Sequence, residues 1–245
     1  MAWRTVVGTA RLVAAAAGLI ALTARFTYAL GFRSFAGGDY FAYLTVQSNL
    51  AAVAIHTLAG VAILRGRDEP RLLTTGRCLV TCFVLVAGIV FGLLVGGAPA
   101  QGYRLDVPWS DQVLHFYLPA YALLDWLVAP GRRRVSWRAL TWAVGYPAVW
   151  GIITVIRGGI VGWYPYFFLD PAQSGYPLSF LGYSAAALAL FAAIAAGLIG
   201  SSRTRPLAER GAGSTRSDPP LGGPPPVVGP EEPGGPVSPA GSGTE

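Results

Sequence analysis

Lysine is absent from this chain, Asn49 is its only asparagine, and charged residues make up just 12% of it. Histidine and cysteine are almost as scarce, with His56, His115, Cys78 and Cys82 as the full set. Each shortage removes a class of function. Two thiols with no nearby histidine fall short of the four ligands of a structural zinc site. Adjacent turns of one helix suit a disulfide poorly, so Cys78 and Cys82 read as small apolar packing residues. His56 lies roughly 11 residues beyond Thr45, about 16 Å deeper along a helix, which excludes joint ligation of a haem iron by His56 and His115. An interhelical hydrogen bond is the expected role of His56. No nucleotide-binding motif is present, which argues against ATP-driven transport. No metal and no cofactor are implied.

Low charge is matched by high apolar content. Hydrophobic residues make up 53% of the chain and the mean hydropathy is +0.49, tail included, too apolar for a soluble core. Six continuous apolar runs stand out, at about Val6–Leu30, Phe41–Leu64, Cys78–Gly97, Gln112–Val128, Leu140–Ile156 and Leu178–Gly200. A membrane-spanning helix needs roughly 20 such residues, and unbroken rather than alternating runs predict helices, not a barrel. The predicted fold class is all-α, a polytopic six-helix transmembrane bundle over residues 1–200.

The net charge of +6 is distributed by topology. Arg4, the group Arg65, Arg67, Arg71 and Arg77, the group Arg132, Arg133, Arg134 and Arg138, and the group Arg203, Arg205, Arg210 and Arg216 all flank alternate ends of the runs. Arg33, Arg104 and Arg157 are the only arginines in the other loops. This positive-inside pattern predicts cytoplasmic N- and C-termini and anionic lipid headgroups, not nucleic acid, as the partner of the basic loops. Heavy Ala, Gly, Arg and Pro usage points to a GC-rich bacterial gene, hence a bacterial plasma membrane. Cleavage of the Ala-rich first segment after Ala29, as in a secretory signal, would put the arginine loops out of step, so an uncleaved first helix is expected. Residues 201–245 are Pro/Gly-rich and lack aromatics, so a disordered cytoplasmic tail is predicted. PLGGPPPVV is its one stretch resembling a Pro-rich ligand.

Polar residues inside the runs are the candidate site, because isolated polar groups in hydrocarbon are costly. Thr45 lies about five residues below Tyr40, and His115 about four below Asp111. At 1.5 Å per residue their depths differ by on the order of 2 Å. A hydroxyl facing an imidazole is the minimal nucleophile–base couple of acyl transfer. Asp111, one turn before His115, is placed to orient the imidazole. Ser48 and Asn49 share a helical face with Thr45, and either can donate to an oxyanion, an effect worth roughly 3 kcal/mol when well placed. The same groups also suit a helix–helix seam. Arg25, at the outer end of the first run, reads as snorkelling to headgroups, holding a substrate carboxylate, or pairing with Asp111. Asp125 and Trp126 read as an interfacial anchor with a basic partner among Arg132–Arg134. The aromatic stretch GWYPYFFLDPAQSGYP reads either as an interfacial cap or as a lid over the site.

FAYLTVQSN and LHFYLPAYALLDW, on the second and fourth of the six expected helices, resemble the bacterial branch of the androgen-induced-gene and androgen-dependent TFPI-regulating protein family. WYPYFFLD is similar to that branch in particular, and the likeness covers about residues 5–200. Animal members are multipass threonine hydrolases of fatty acid esters of hydroxy fatty acids. By position, the resemblance implies a nucleophilic Thr45, an essential His115 and a membrane lipid or fatty-acid ester as substrate. It does not extend to Arg25, Asn49, Asp111 or Asp170. The expected function is an integral membrane lipid-ester hydrolase, and the alternative is a non-enzymatic multipass protein, a small transporter or assembly factor.

Overall fold

The computed structural model describes residues 2–32, 36–97, 99, 102 and 106–207. The expected disordered tail beyond Leu207 lies outside the described residues, as do Arg33 and Arg104. Among the described residues all regular structure is helical. The elements are α1 (Ala2–Ala29), α2 (Gly37–Ala42), α3 (Leu44–Leu64), α4 (Arg71–Gly97), α5 (Trp109–Gln112), a π-helical turn (Val113–Tyr117), α6 (Leu118–Val128), α7 (Ala139–Val161), a 3-10 turn (Phe167–Leu169) and α8 (Leu178–Ser201). Five of these, α1, α3, α4, α7 and α8, are long and apolar enough to cross a membrane. Ile152, Ile153, Ile156 and Ile160 on α7 are all exposed, giving an apolar outer surface of the kind lipid requires. The protein is a helical membrane protein.

Local sequence explains where the helices depart from the expected runs. The second run begins at Leu44, not Phe41, because Tyr43 is extended (φ −66°, ψ 127°) and separates α2 from α3. The third begins at Arg71, so Arg77 is a helical residue, fully buried, and not a loop residue. The seventh helix in this numbering continues past Ile156 to Val161 and ends at Gly162, whose φ of +71° makes the left-handed cap that favours glycine. The expected fourth run is not one regular helix. α5, the π turn and α6 abut without a gap over 109–128, and the Leu118 N–H bonds the Val113 carbonyl across the π turn. Pro119 accounts for the widening: it has no N–H for the His115 carbonyl, and in a regular α-helix its ring would press on that carbonyl.

α4 is the centre of the bundle, packing on α3, the π turn, α6, α7 and α8, while α1 runs along α3. The α1–α3 contact is close enough that a β-carbon on Gly60 would lie 3.0 Å from the Gly8 carbonyl oxygen, the small-residue packing common between membrane helices. Cys78 and Cys82 are free thiols in the largest core cluster, beside Trp126, Phe191 and Ile199. The arginine-rich segments meet at one end of the bundle: Arg4 pairs with Asp68 at 3.2 Å, Arg132 donates to the Ser201 carbonyl at 2.7 Å, and the Val135 N–H donates to Ser202 at 3.0 Å. At the opposite end Arg25 pairs with Asp111 at 3.0 Å and Arg157 with Asp39 at 2.5 Å.

Candidate functional site

Thr45 sits in the first turn of α3 and His115 in the π turn, and both line one cavity of about 450 Å³ between α3, α4, the π turn, α7 and α8. Thr45, His115, Tyr166 and Ser184 bring hydroxyl or imidazole groups to a wall that is otherwise aliphatic and aromatic. Ile152 and Ile156 line the cavity and are also more than half exposed on the outer face of α7, so its rim reaches the lipid-facing surface.

The imidazole is held from two sides. Its ring stacks on Phe91 with centroids 3.8 Å apart and planes 15° from parallel. Nδ1 lies 2.9 Å from the Asp111 backbone carbonyl. A carbonyl can only accept, so in the neutral ring Nδ1 carries the proton and Nε2 the lone pair. Among the described residues Nε2 makes no hydrogen bond. The orienting group is therefore the Asp111 carbonyl and not its carboxylate, which is taken by Arg25 Nε at 3.0 Å. The same pair answers the question of Arg25. Its guanidinium also lies over the Tyr28 ring, 5.2 Å from the centroid, and Arg25 is not among the cavity residues, so a substrate carboxylate in the cavity does not meet it.

Close approach of α4 fixes the π turn from behind. A β-carbon at Gly88 would collide with the His115 carbonyl oxygen, so only glycine lets the two backbones lie this close.

Thr45 has different neighbours from those expected. Its Oγ1 lies 3.2 Å from the Tyr166 hydroxyl, and no hydrogen bond joins it to His115 among the described residues. Ser48 Oγ and Asn49 Nδ2 both donate to the Thr45 carbonyl, at 3.0 and 2.9 Å. Both are buried and neither lines the cavity. Each thus spends a donor on holding the first turn of α3, and neither side chain reaches the cavity where an oxyanion would form.

Tyr166 is the residue that sequence reasoning missed. It lies in WYPYFFLD, whose aromatics form one packed group: Tyr166 stacks on Phe168 at 5.2 Å and meets Tyr43 and Trp150 edge-on. Burial pushes its phenol pKa up, and the bond to Thr45 pulls it partly back, so the hydroxyl keeps its proton at neutral pH. The loop is pinned through Arg157, which pairs with Asp39 and lies over Trp163 at 5.6 Å. Its aromatic composition was the available signal, and it fitted a membrane-interface belt equally well.

The other polar cluster lies at the arginine-rich end. Asp125 on α6 bonds Arg11 of α1 at 3.0 Å and Arg77 of α4 at 2.5 Å. Glu69 bonds the same two arginines at 3.2 and 2.7 Å. The partners of Asp125 are therefore not Arg132–Arg134, and Arg77 is not a surface topology marker. Trp126 is fully buried, donates to Ser201 Oγ at 2.9 Å and carries Arg132 over its ring at 5.2 Å. His56 uses Nδ1 on the Ala52 carbonyl of its own helix at 2.8 Å, in place of the interhelical bond expected, and its ring lies beside Tyr121 at 5.7 Å. Among the described residues no group of three or more His, Cys, Asp or Glu side chains is arranged to hold a metal ion.

The chain matches no family model, no curated protein and no solved structure.

Proposed function

We propose that the protein is a six-span integral membrane hydrolase of lipid esters, with Thr45 as nucleophile and His115 as base. The observation that carries this reading is the shared cavity: a hydroxyl and an imidazole with its lone pair on Nε2, from distant parts of the chain, line a pocket otherwise suited to an acyl chain. The helical stretch 109–128 is the sixth span, interrupted by its π turn. The positive-inside pattern then puts both termini in the cytoplasm and the cavity toward the outer face of the bacterial plasma membrane. The resemblance to the androgen-induced-gene family supports the same pair of residues.

The reaction follows general base-assisted acyl transfer. A lipid ester enters between α7 and α8, past the exposed Ile152 and Ile156. Thr45 Oγ1 attacks the ester carbonyl as its proton passes to His115 Nε2. The alkoxy oxygen leaves with that proton, giving an alcohol and an acyl-Thr45. Water repeats the sequence, releasing the fatty acid and restoring Thr45. The Tyr166 hydroxyl, released from Thr45 when the nucleophile turns toward His115, donates to the oxyanion, a contribution worth about 3 kcal/mol.

A second reading is favoured by one observation: Thr45 is satisfied by Tyr166 and not by His115. In that reading the polar groups are a helix seam in a non-enzymatic transporter or assembly factor. Fluorophosphonate labelling of the full chain in membranes separates the two. Thr45→Ala and His115→Ala should each abolish labelling and ester hydrolysis in folded protein, with the double variant scarcely worse than either single one. Thr45→Ser should keep part of the activity. Full labelling of folded Thr45→Ala leaves only the seam.

A further inference from the structure

A second cavity, of about 440 Å³, lies at the arginine-rich end. Its charged lining is Arg4, Arg11, Arg67 and Arg133 against Asp68 and Glu69, four positive groups against two negative, an excess of two positive charges. Arg67 and Arg133 are exposed at its rim and make no ion pair among the described residues. Arg11 is only 1% exposed, and while its Nε and Nη1 serve Asp125 and Glu69, its Nη2 is a buried donor with no partner. Ala59 and Ile63 of α3, with Pro130 and Gly131, complete the wall with apolar surface.

A buried guanidinium with a spare donor, two unpaired guanidinium groups at the rim and an apolar flank form a fork for phosphate oxygens. We propose that this cavity binds a phosphate group, and its apolar flank favours an anionic phospholipid headgroup as the carrier. Glu69 Oε1, buried and without a hydrogen-bond partner, accepts from a headgroup hydroxyl, which points to phosphatidylglycerol over a bare phosphate. The site lies at the end of the bundle away from Thr45 and His115 and stands independently of the hydrolase reading.

Native mass spectrometry of the full chain in detergent micelles, where no membrane surface potential acts, tests the site. Phosphatidylglycerol, phosphatidylcholine and inorganic phosphate are the three probes. Phosphatidylglycerol should be retained at least about tenfold better than phosphatidylcholine, and Arg67→Gln with Arg133→Gln should remove that preference. Arg65→Gln with Arg138→Gln deletes the same charge from exposed positions outside the cavity and should leave retention within about twofold. Equal losses in the two double variants, or equal retention of the two lipids, overturns the site. Displacement of the lipid by millimolar inorganic phosphate overturns the lipid as carrier and assigns the cavity to a free anion.

Discussion

At the arginine-rich end, buried Arg11, Arg77 and Asp125 from α1, α4 and α6 meet half-buried Glu69 from the loop before α4, and their charges cancel, Arg11 and Arg77 against Glu69 and Asp125. At the Thr45 end no Asp, Glu, Lys or Arg lines the cavity among the described residues. Its hydroxyls, its phenol and its imidazole share an apolar wall, and the nearby charges, Arg25 with Asp111 and Arg157 with Asp39, are paired off outside it. The contrast separates two uses of buried polarity. Charges locked into a neutral quartet hold one another and fix how the helices sit, with Arg11 Nη2 and Glu69 Oε1 left over only to bind a ligand. Neutral groups with an open lone pair and a movable hydroxyl cost less to bury and remain available to react.

The sharpest way to break this comparison is to unbalance the quartet. Asp125→Ala leaves Arg11 and Arg77 buried with Glu69 alone, and removing one partner of a buried ion network costs about 3–5 kcal/mol. Most of the protein should be lost as aggregate in detergent size-exclusion chromatography. Thr45→Ala removes one hydroxyl with a single hydrogen bond and should cost about 1 kcal/mol. Comparable losses of folded protein for the two variants would erase the distinction between a structural and a reactive end.

Much of the helical frame was legible because hydropathy is a local property. Five runs matched helices, with ends displaced by a turn or two where Tyr43 or Gly162 sets the boundary. The π turn was not legible, since one proline reads as a kink without saying how the turn adapts. Thr45 and His115 could be singled out because a polar group in an apolar run stands out and its depth can be counted. The quartet could not: Arg77 lies in a series of arginines whose spacing fits a loop, and only packing of α1, α4 and α6 together turns it inward. Tyr166 escaped for a related reason. One tyrosine in an aromatic loop carries no mark of its own, and its contact with Thr45 depends on a backbone path held from Asp39, far away in the chain.

A smaller perturbation addresses the Thr45 end through its backbone. Gly88→Ala puts a β-carbon into the His115 carbonyl, forcing α4 off the π turn. A steric insertion of this kind costs about 1–3 kcal/mol and should disturb the His115–Phe91 stack, lowering labelling of Thr45 as well as the unfolding temperature. Gly197→Ala on α8 meets no atom within 4 Å and should stabilise slightly, by about 0.4–1 kcal/mol. A labelling rate unchanged in Gly88→Ala would mean that the π turn does not set the position of the imidazole.

An effect confined to alkaline pH comes from Tyr40, in the short helix α2 at the charge-paired end. Its hydroxyl donates to the Leu22 carbonyl at 2.7 Å. Burial pushes its phenol up to about 12, against a partial lowering by Arg25 and a further push from Asp111. A raised pKa means that the folded state holds the proton more tightly than the unfolded chain. The resulting stability is fully present below the ordinary tyrosine value of about 10 and is lost as pH rises through about 12. Across that window stability should fall by at most about 1.4 kcal/mol per pH unit from this group. Tyr40→Phe should remove this part of the alkaline decline and cost about 1 kcal/mol at neutral pH through the lost hydrogen bond. Chemical denaturation in detergent at several pH values measures the decline, and identical slopes for the native protein and Tyr40→Phe would exclude Tyr40 as its source.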